Sequence, residues 1–352
     1  MATAMTRVCV VGAGAIGGYL ASRLAAAPGV ALTVLARGAQ LDAIRRGGIR
    51  ILEEGREMRV ALAVDDDPAR LGVQDVLIVC LKAHALVEAA ESLAPLVGPH
   101  TVIVPAINGV PWWFLEACGG ALAGRRLASV DPEGRLARRL PASQVVGCVL
   151  HMASAQGEPG TIHKSAGRVV ILGQPACNPD PDAEPRVAAL FDGLGFDLRR
   201  SPGICDEVWS KLWGNMSMNP ISALTRSTSD VILDDPLTNR LTTEVMLEAA
   251  RIGALLGIHL DLTPAQRSAT TRRLGRFKSS MLQDLEAGRS LEVEALVGAP
   301  YEIAQLAGLD TPWLAMLYGL SRQLAANVAP RLPIEIRPIE ISPAEVRPAR
   351  AG

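Results

Sequence analysis

Up to about residue 200, short apolar runs alternate with amphipathic stretches; beyond that point only amphipathic stretches remain. The apolar runs 7–11, 31–35, 75–81 and 101–106 are short and rich in Val, Ile and Leu, as buried parallel strands are. An Ala-rich helix, 19–27, follows the first of them. Further strands are expected at 145–151, 168–172 and 197–200, with the Gly- and Pro-bearing stretch 156–167 as a loop between the first two. The stretch 175–185 reads as a surface loop and 186–194 as a short helix. Residues 124–143 read as an inserted hairpin. Its arms, 125–130 and 135–140, flank Asp131-Pro132-Glu133-Gly134, a turn sequence, and their five arginines predict exposure. From 206 onward the helical runs are 206–225, 235–256, 263–287, 291–308 and 311–327. This pattern predicts an α/β domain over 1–202 carrying the inserted hairpin, an all-helical domain over 203–329, and an extended, flexible tail over 330–352.

The first helical run carries the most pointed polar pattern. Lys211, Asn215 and Asn219 recur every four residues, each step advancing about 400° around the helix, so they share one narrow stripe. Trp209, Leu212, Trp213, Met216 and Met218 surround them. Pro220 follows at once and is expected to kink or end the helix. An amine able to release a proton, beside two amides that both donate and accept, suits a polar carbonyl compound.

The first strand runs into Gly12-Ala13-Gly14-Ala15-Ile16-Gly17-Gly18. Glycines at this spacing, between a strand and a helix, permit a tight turn, close approach of a pyrophosphate and close helix packing. A dinucleotide site is expected there, with Gly12, Gly14, Ala15, Ile16 and Gly17 against the cofactor. The second strand ends in Leu35-Ala36-Arg37-Gly38, with Arg37 where an NAD-preferring fold carries an acid. A guanidinium suits a 2′-phosphate, so the expected cofactor is NADP(H). Lys82 and His84 follow the 75–81 strand, and Asn108 follows the 101–106 strand. Carboxyl ends of strands face the ligand crevice. His84 is read as a residue starting a helix, and Asn108 as either a turn former or a ligand contact.

Composition narrows the partners. With 35 basic and 36 acidic side chains the net charge is −1, which gives no reason to expect nucleic acid or a membrane surface. No apolar run approaches the roughly 20 residues of a membrane span, and a cytoplasmic location is expected. The cysteines Cys9, Cys80, Cys118, Cys148, Cys177 and Cys205 form no CxxC pair, and several sit in apolar runs. They are expected to be reduced, buried thiols. The histidines show no HxxxH spacing, and no metal is expected.

Taken together, these pieces resemble the ketopantoate reductase (2-dehydropantoate 2-reductase) family over roughly residues 7–325. The matching stretches are GAGAIGG, Arg37, CLKA at 80–83, ING at 107–109, KLWGNMSMNPISAL at 211–224 and SSMLQDLEAGRSLEVEAL at 279–296. The resemblance implies a Rossmann-type domain followed by a helical domain like the C-terminal domain of 6-phosphogluconate dehydrogenase. It implies an NADPH-dependent reduction of a 2-oxo acid in pantothenate biosynthesis. Lys211 then corresponds to the proton donor and Glu292 to the acid that binds substrate and sets the lysine. Asn215 and Asn219 hold the substrate, Ser280 receives its carboxylate, and Asn108 is a polar contact near the nicotinamide. Lys82 and Arg37 correspond to cofactor contacts. A homodimer is compatible with the resemblance.

The chain also departs from the family pattern. Phe277 stands where many members carry Asn, and Val293-Glu294-Ala295 follows Glu292. The 124–143 arm is longer than in the shorter members. If one helix carries Phe277 and Ser280, the two share a face and Phe277 lines the substrate end of the cleft. These departures keep open a related reductase acting on a different 2-oxo acid. A protein that senses NADP(H) without chemistry is disfavoured by the intact Lys211 and Glu292. A β-hydroxy acid dehydrogenase is disfavoured by the Lys-Asn-Asn stripe.

Overall fold

The structure, a computed structural model, describes residues 5–328; the 330–352 tail lies outside them. Ten strands are named in chain order: β1 Thr6–Val11, β2 Val30–Leu35, β3 Ile49–Glu53, β4 Arg56–Val60, β5 Ala63–Asp65, β6 Val76–Val79, β7 Val102–Pro105, β8 Gly147–Gln156, β9 Thr161–Gly173 and β10 Asp197–Arg200. The first sheet has the order β5-β2-β1-β6-β7, and every pairing in it is parallel. The order reverses at β1, between β2 on one side and β6 on the other, which opens a ligand crevice at the strands' carboxyl ends. Burial on both faces explains the unbroken apolar runs. Val8, Val10, Val34 and Ile78 pack in one core with Leu20 and Leu24. Cys9, Leu77, Val79 and Ile103 pack in the other with Trp113 and Trp209.

The second sheet corrects part of the sequence reading. Its order is β10-β9-β3-β4, with β8 running antiparallel along β9. The expected loop 156–167 is mostly strand, and only 157–160 separate β8 from β9. His163 and Ser165 are exposed, while Thr161, Ile162 and Lys164 are buried. The β3–β4 hairpin had no counterpart in the pattern. It turns at Glu54 and Gly55, which have φ of 51° and 75°, the pair of positive angles a type I′ turn requires.

The stretch 124–143 is no hairpin. It forms turns and a short helix, Arg135–Arg139, with no strand. Leu127, Val130, Leu136 and Leu140 are buried at spacings of three, six and four, which a two-residue alternation does not produce. The buried Asp131 caps the helix by accepting from the Leu136 N–H at 2.7 Å and the Ala137 N–H at 3.1 Å. Glu302 in turn accepts from the Ala128 and Ser129 N–H groups at 2.8 and 2.9 Å, fastening the arm to the helical part. The five arginines are exposed, as expected.

From Ile204 onward the described chain is helical. The helix Ile204–Thr225 carries Pro220 inside it and does not end there. Continuous burial from Leu212 through Ala223, interrupted only at Asn215, outweighs the roughly 3 kcal/mol that a helical proline costs. Trp209 and Trp213 lie about half a turn round from Lys211. Their indole N–H groups donate to the Ala249 and Met246 carbonyls of the helix Pro236–Leu255, at 3.2 and 2.7 Å. That anchorage turns the polar stripe away from the helical core. The expected run 263–287 is two helices, Pro264–Arg272 and Ser280–Glu286. Gly275, with φ of 64°, and Ser279, whose side chain caps the second helix, interrupt it.

The cysteine reading also needs correction. Cys118 and Cys205 are joined by a disulfide, with Cα atoms 5.8 Å apart across 87 residues of sequence. Tertiary packing makes this pair, so spacing could not reveal it. The other four cysteines are free.

Candidate active site

The glycine loop follows β1 directly. Gly12 has φ of 97°, open to glycine and strained for other residues. A Cβ on Gly17 would stand 1.9 Å from the Gly12 carbonyl oxygen, so the third glycine is sterically required. Above Gly14 a Cβ would meet only the Gln156 side chain, at 4.0 Å, which leaves the loop open to a ligand. Gly14 caps the helix Ala15–Leu24 without a side chain. The first-turn N–H groups of Ala15, Ile16 and Gly17 are therefore free of a side-chain cap, as an anion site needs. Gln40 was absent from the sequence reading. Its side-chain amide donates to the Ala13 carbonyl at 2.6 Å and accepts from the Gly160 N–H at 2.9 Å, bracing the loop. No motif marks a glutamine in that role. Arg37 stands just beyond β2, exposed and without an ion-pair partner among the described residues. The residues present fit a nicotinamide dinucleotide.

The loops after β6 and β7 clasp the helical part. Lys82 donates to the Asp284 carboxylate at 2.8 Å and to the Ser290 carbonyl at 2.7 Å. The structure thus directs Lys82 across the cleft, where the sequence suggested a cofactor contact. His84, read as a residue without a role, pairs with the Ser290 hydroxyl at 2.9 Å. After β7, Gly109 has φ of 83°, and a Cβ there would lie 2.5 Å from the Ala295 carbonyl oxygen. The adjacent Val110 N–H donates to that same oxygen at 2.9 Å. Asn-Gly is therefore both a turn and a docking point, which sets the position of Asn108.

Asn108 joins the two charged groups that the sequence singled out. Its side-chain oxygen accepts from the Lys211 ammonium at 2.9 Å. Its amide N–H₂ is left free to face Glu292, and it and the Ala83 N–H both favour that residue's charged form. Glu292 stands just ahead of a π-helical turn, Glu294–Gly298, a rare geometry frequently found at functional sites. Burial pushes the Lys211 ammonium down to about 8. Burial likewise raises the Glu292 carboxyl above its usual range, while Lys82 and the two donors pull it back. The cleft at Lys211 is lined by Pro105, Asn108, Cys148, Leu212 and Asn215. Asn219 is buried and its amide reaches the Ser280 hydroxyl at 3.5 Å. Lys211, Asn215, Asn108 and Glu292 are thus brought together, with Asn219 two turns along the same helix from Lys211 and Ser280 facing it from the start of the helix Ser280–Glu286. Phe277 does not share a helix face with Ser280, because the helix begins only at Ser280. Its backbone instead accepts from the Ser229 N–H at 3.0 Å.

An ammonium with a lowered pKa, held against Asn108 beyond β7, stands at the same carboxyl edge of the parallel sheet as the open glycine loop, an arrangement suited to proton transfer next to a dinucleotide. Comparison with known proteins agrees. Residues 8–176 match the family Ketopantoate reductase PanE/ApbA, and residues 204–325 match Ketopantoate reductase PanE/ApbA C terminal. The chain belongs to the ketopantoate reductase family. Its relatives include a 2-dehydropantoate 2-reductase of Mesorhizobium japonicum, 40% identical over 91% of this chain and 98% of that one. A crystal structure of a candidate ketopantoate reductase from Ralstonia solanacearum MolK2 is 47% identical with a TM-score of 0.86, covering 92% of this chain and 99% of that one. D-mandelate dehydrogenase, solved with NADH and anilino(oxo)acetate, shares the fold at 17% identity and a TM-score of 0.77, covering 92% and 99%. The protein is an oxidoreductase acting on a CH–OH/C=O pair with a nicotinamide dinucleotide. No helix among the described residues is long and apolar enough to cross a membrane.

Proposed function

We propose that the protein reduces ketopantoate, or a closely related 2-oxo acid, with NADPH, and that Lys211 donates the proton. The observation that carries this reading is the Lys211–Asn108 hydrogen bond of 2.9 Å, made in the cleft at the carboxyl end of β7. NADPH, when bound, supplies the hydride to the ketone carbon. The glycine loop and the first turn of its helix hold the pyrophosphate, and Arg37 the 2′-phosphate. Asn215, Asn219 and Ser280 orient the substrate so that its ketone oxygen meets the Lys211 ammonium. As negative charge grows on that oxygen, the ammonium stabilises it and passes a proton to it. Asn108, between Lys211 and Glu292, holds the lysine in line and couples it to a buried carboxyl group. The two domains, 1–202 and 203–329, close on the substrate from either side, and the protein works as a homodimer in the cytoplasm.

The test is NADPH oxidation with ketopantoate beside a panel of larger and aromatic 2-oxo acids, ranked by kcat/KM. Ketopantoate is expected to rank first. A clear preference for another 2-oxo acid would retain the reaction and replace the substrate, while no turnover of any would remove both.

A pH profile probes the lysine directly. Reduction requires protonated Lys211, so the rate is expected to be level below about 8, where burial has placed the group. It should then fall tenfold per pH unit above that value, as one proton is lost. A rate that stays level to pH 10 would show that another group supplies the proton.

A further inference from the structure

Arg267, in the helix Pro264–Arg272, lies against the long helix at Gly214. A Cβ on Gly214 would stand 2.1 Å from Arg267 Nη2 and 2.6 Å from Nε, so only glycine admits the guanidinium this close. Gly214 is three residues after Lys211, about 60° round the helix from it, and so flanks the Lys211 end of the polar stripe. The guanidinium and the Lys211 ammonium both act on the His151 imidazole, which places the two cations in one neighbourhood. Among the described residues Arg267 has no ion-pair partner, and its buried Nε has no hydrogen-bond partner. Burial depresses its pKa. A shielded cation without a counter-charge is costly unless an anion completes it.

We propose that Arg267 is the residue that neutralises the carboxylate of the 2-oxo acid substrate, and that Gly214 exists at its position to seat the guanidinium. The inference rests on the proposed 2-oxo acid reaction. Ser280, the carboxylate contact implied by the family resemblance, is a neutral hydroxyl already within reach of Asn219. It can orient a carboxylate but cannot cancel its charge. A guanidinium supplies charge and several donors in one group.

Two variants test this, Arg267→Gln and Gly214→Ala. Each is assayed with ketopantoate and with its uncharged amide, and the NADPH Kd is measured by fluorescence. Arg267→Gln is expected to raise KM for the acid by about 10- to 150-fold, the worth of a charge-assisted hydrogen bond. KM for the amide and the NADPH Kd should hold within about threefold, since neither involves the carboxylate. Gly214→Ala should shift the same acid-to-amide ratio by displacing the guanidinium. It should not lower Tm, because alanine is the better helix former and the displaced group is the end of a flexible side chain. An unchanged ratio in both variants overturns the proposal. So does a loss confined to NADPH, which would assign Arg267 to a cofactor phosphate. Calorimetric titration of the acid and the amide into NADP⁺-loaded protein reads the same ratio without turnover. Binding of the acid through Arg267 without reduction would therefore sink the proposed reaction and leave this inference standing. Equal binding of acid and amide to wild type would sink the inference.

Discussion

Lys211→Ala is expected to lower kcat by about 10²- to 10⁴-fold, the usual worth of a positioned acid, and to leave NADPH affinity within a few-fold. The expectation follows from geometry as much as from chemistry. Lys211 reaches Asn108 at 2.9 Å from a helix held rigidly by two buried tryptophans. Among the described residues the ammonium has no carboxylate in direct hydrogen-bonded contact, so truncating it leaves no buried acid newly orphaned beside it. The Asn108 oxygen loses one donor but faces the cleft, where water can replace it. Stability should therefore change little, and the loss should appear in the chemical step. Single-turnover measurements at saturating NADPH separate the two. A kcat within a few-fold of wild type would show that Lys211 does not transfer the proton. A large fall in Tm would instead place the effect on folding.

Arg37→Ala is expected to weaken NADPH by roughly 1.5–3 kcal/mol, about 10- to 150-fold, and to leave NADH nearly untouched. Arg37 stands beyond the second strand, exposed, in extended backbone with φ of −136° and ψ of 158°. It contributes no ion pair to the described fold, so its removal should not disturb β2 or the helix Gly38–Gly47. The nearby acid, Asp65 on β5, is held by Arg70 at 2.6 Å, and that guanidinium keeps its carboxyl down at about 2. Asp65 is thus committed to a local pair, which leaves Arg37 as the charge to meet a 2′-phosphate. Lys82 does not compensate, because its ammonium is directed at Asp284 and Ser290. Titrating both cofactors by fluorescence decides the matter. Equal losses for NADH and NADPH would assign Arg37 to the pyrophosphate or to the fold.

The glycine loop was legible from the chain because local sterics alone decide it. Gly17 faces the carbonyl of Gly12, five residues earlier in the same loop, and only glycine survives there whatever the rest of the molecule does. The Lys-Asn-Asn stripe was legible for a similar reason, since the period of one helix places those side chains together. Parallel strands buried on both faces show as apolar runs, so β1, β2, β6 and β7 could also be read, whereas the short, partly exposed edge strand β5 could not.

What the pattern could not show depends on contacts between distant segments. Asn108 bridges Lys211 and Glu292 only because Gly109 lets the β7 loop dock on the Ala295 carbonyl, nearly 190 residues away in the chain. The Cys118–Cys205 bond, the crossing of Lys82 to Asp284, and Arg267 against Gly214 have the same origin. The 124–143 arm misled because turn residues fit a hairpin and a helix cap equally well. Burial of Leu127, Val130, Leu136 and Leu140 against the rest of the molecule chose the helix cap. Pro220 does not end its helix: its local cost is real, and the packing of the whole helix exceeds it. Residues three or four apart on one helix meet by covalent geometry, whereas residues on separate elements meet only where side-chain volumes and backbone clearances allow.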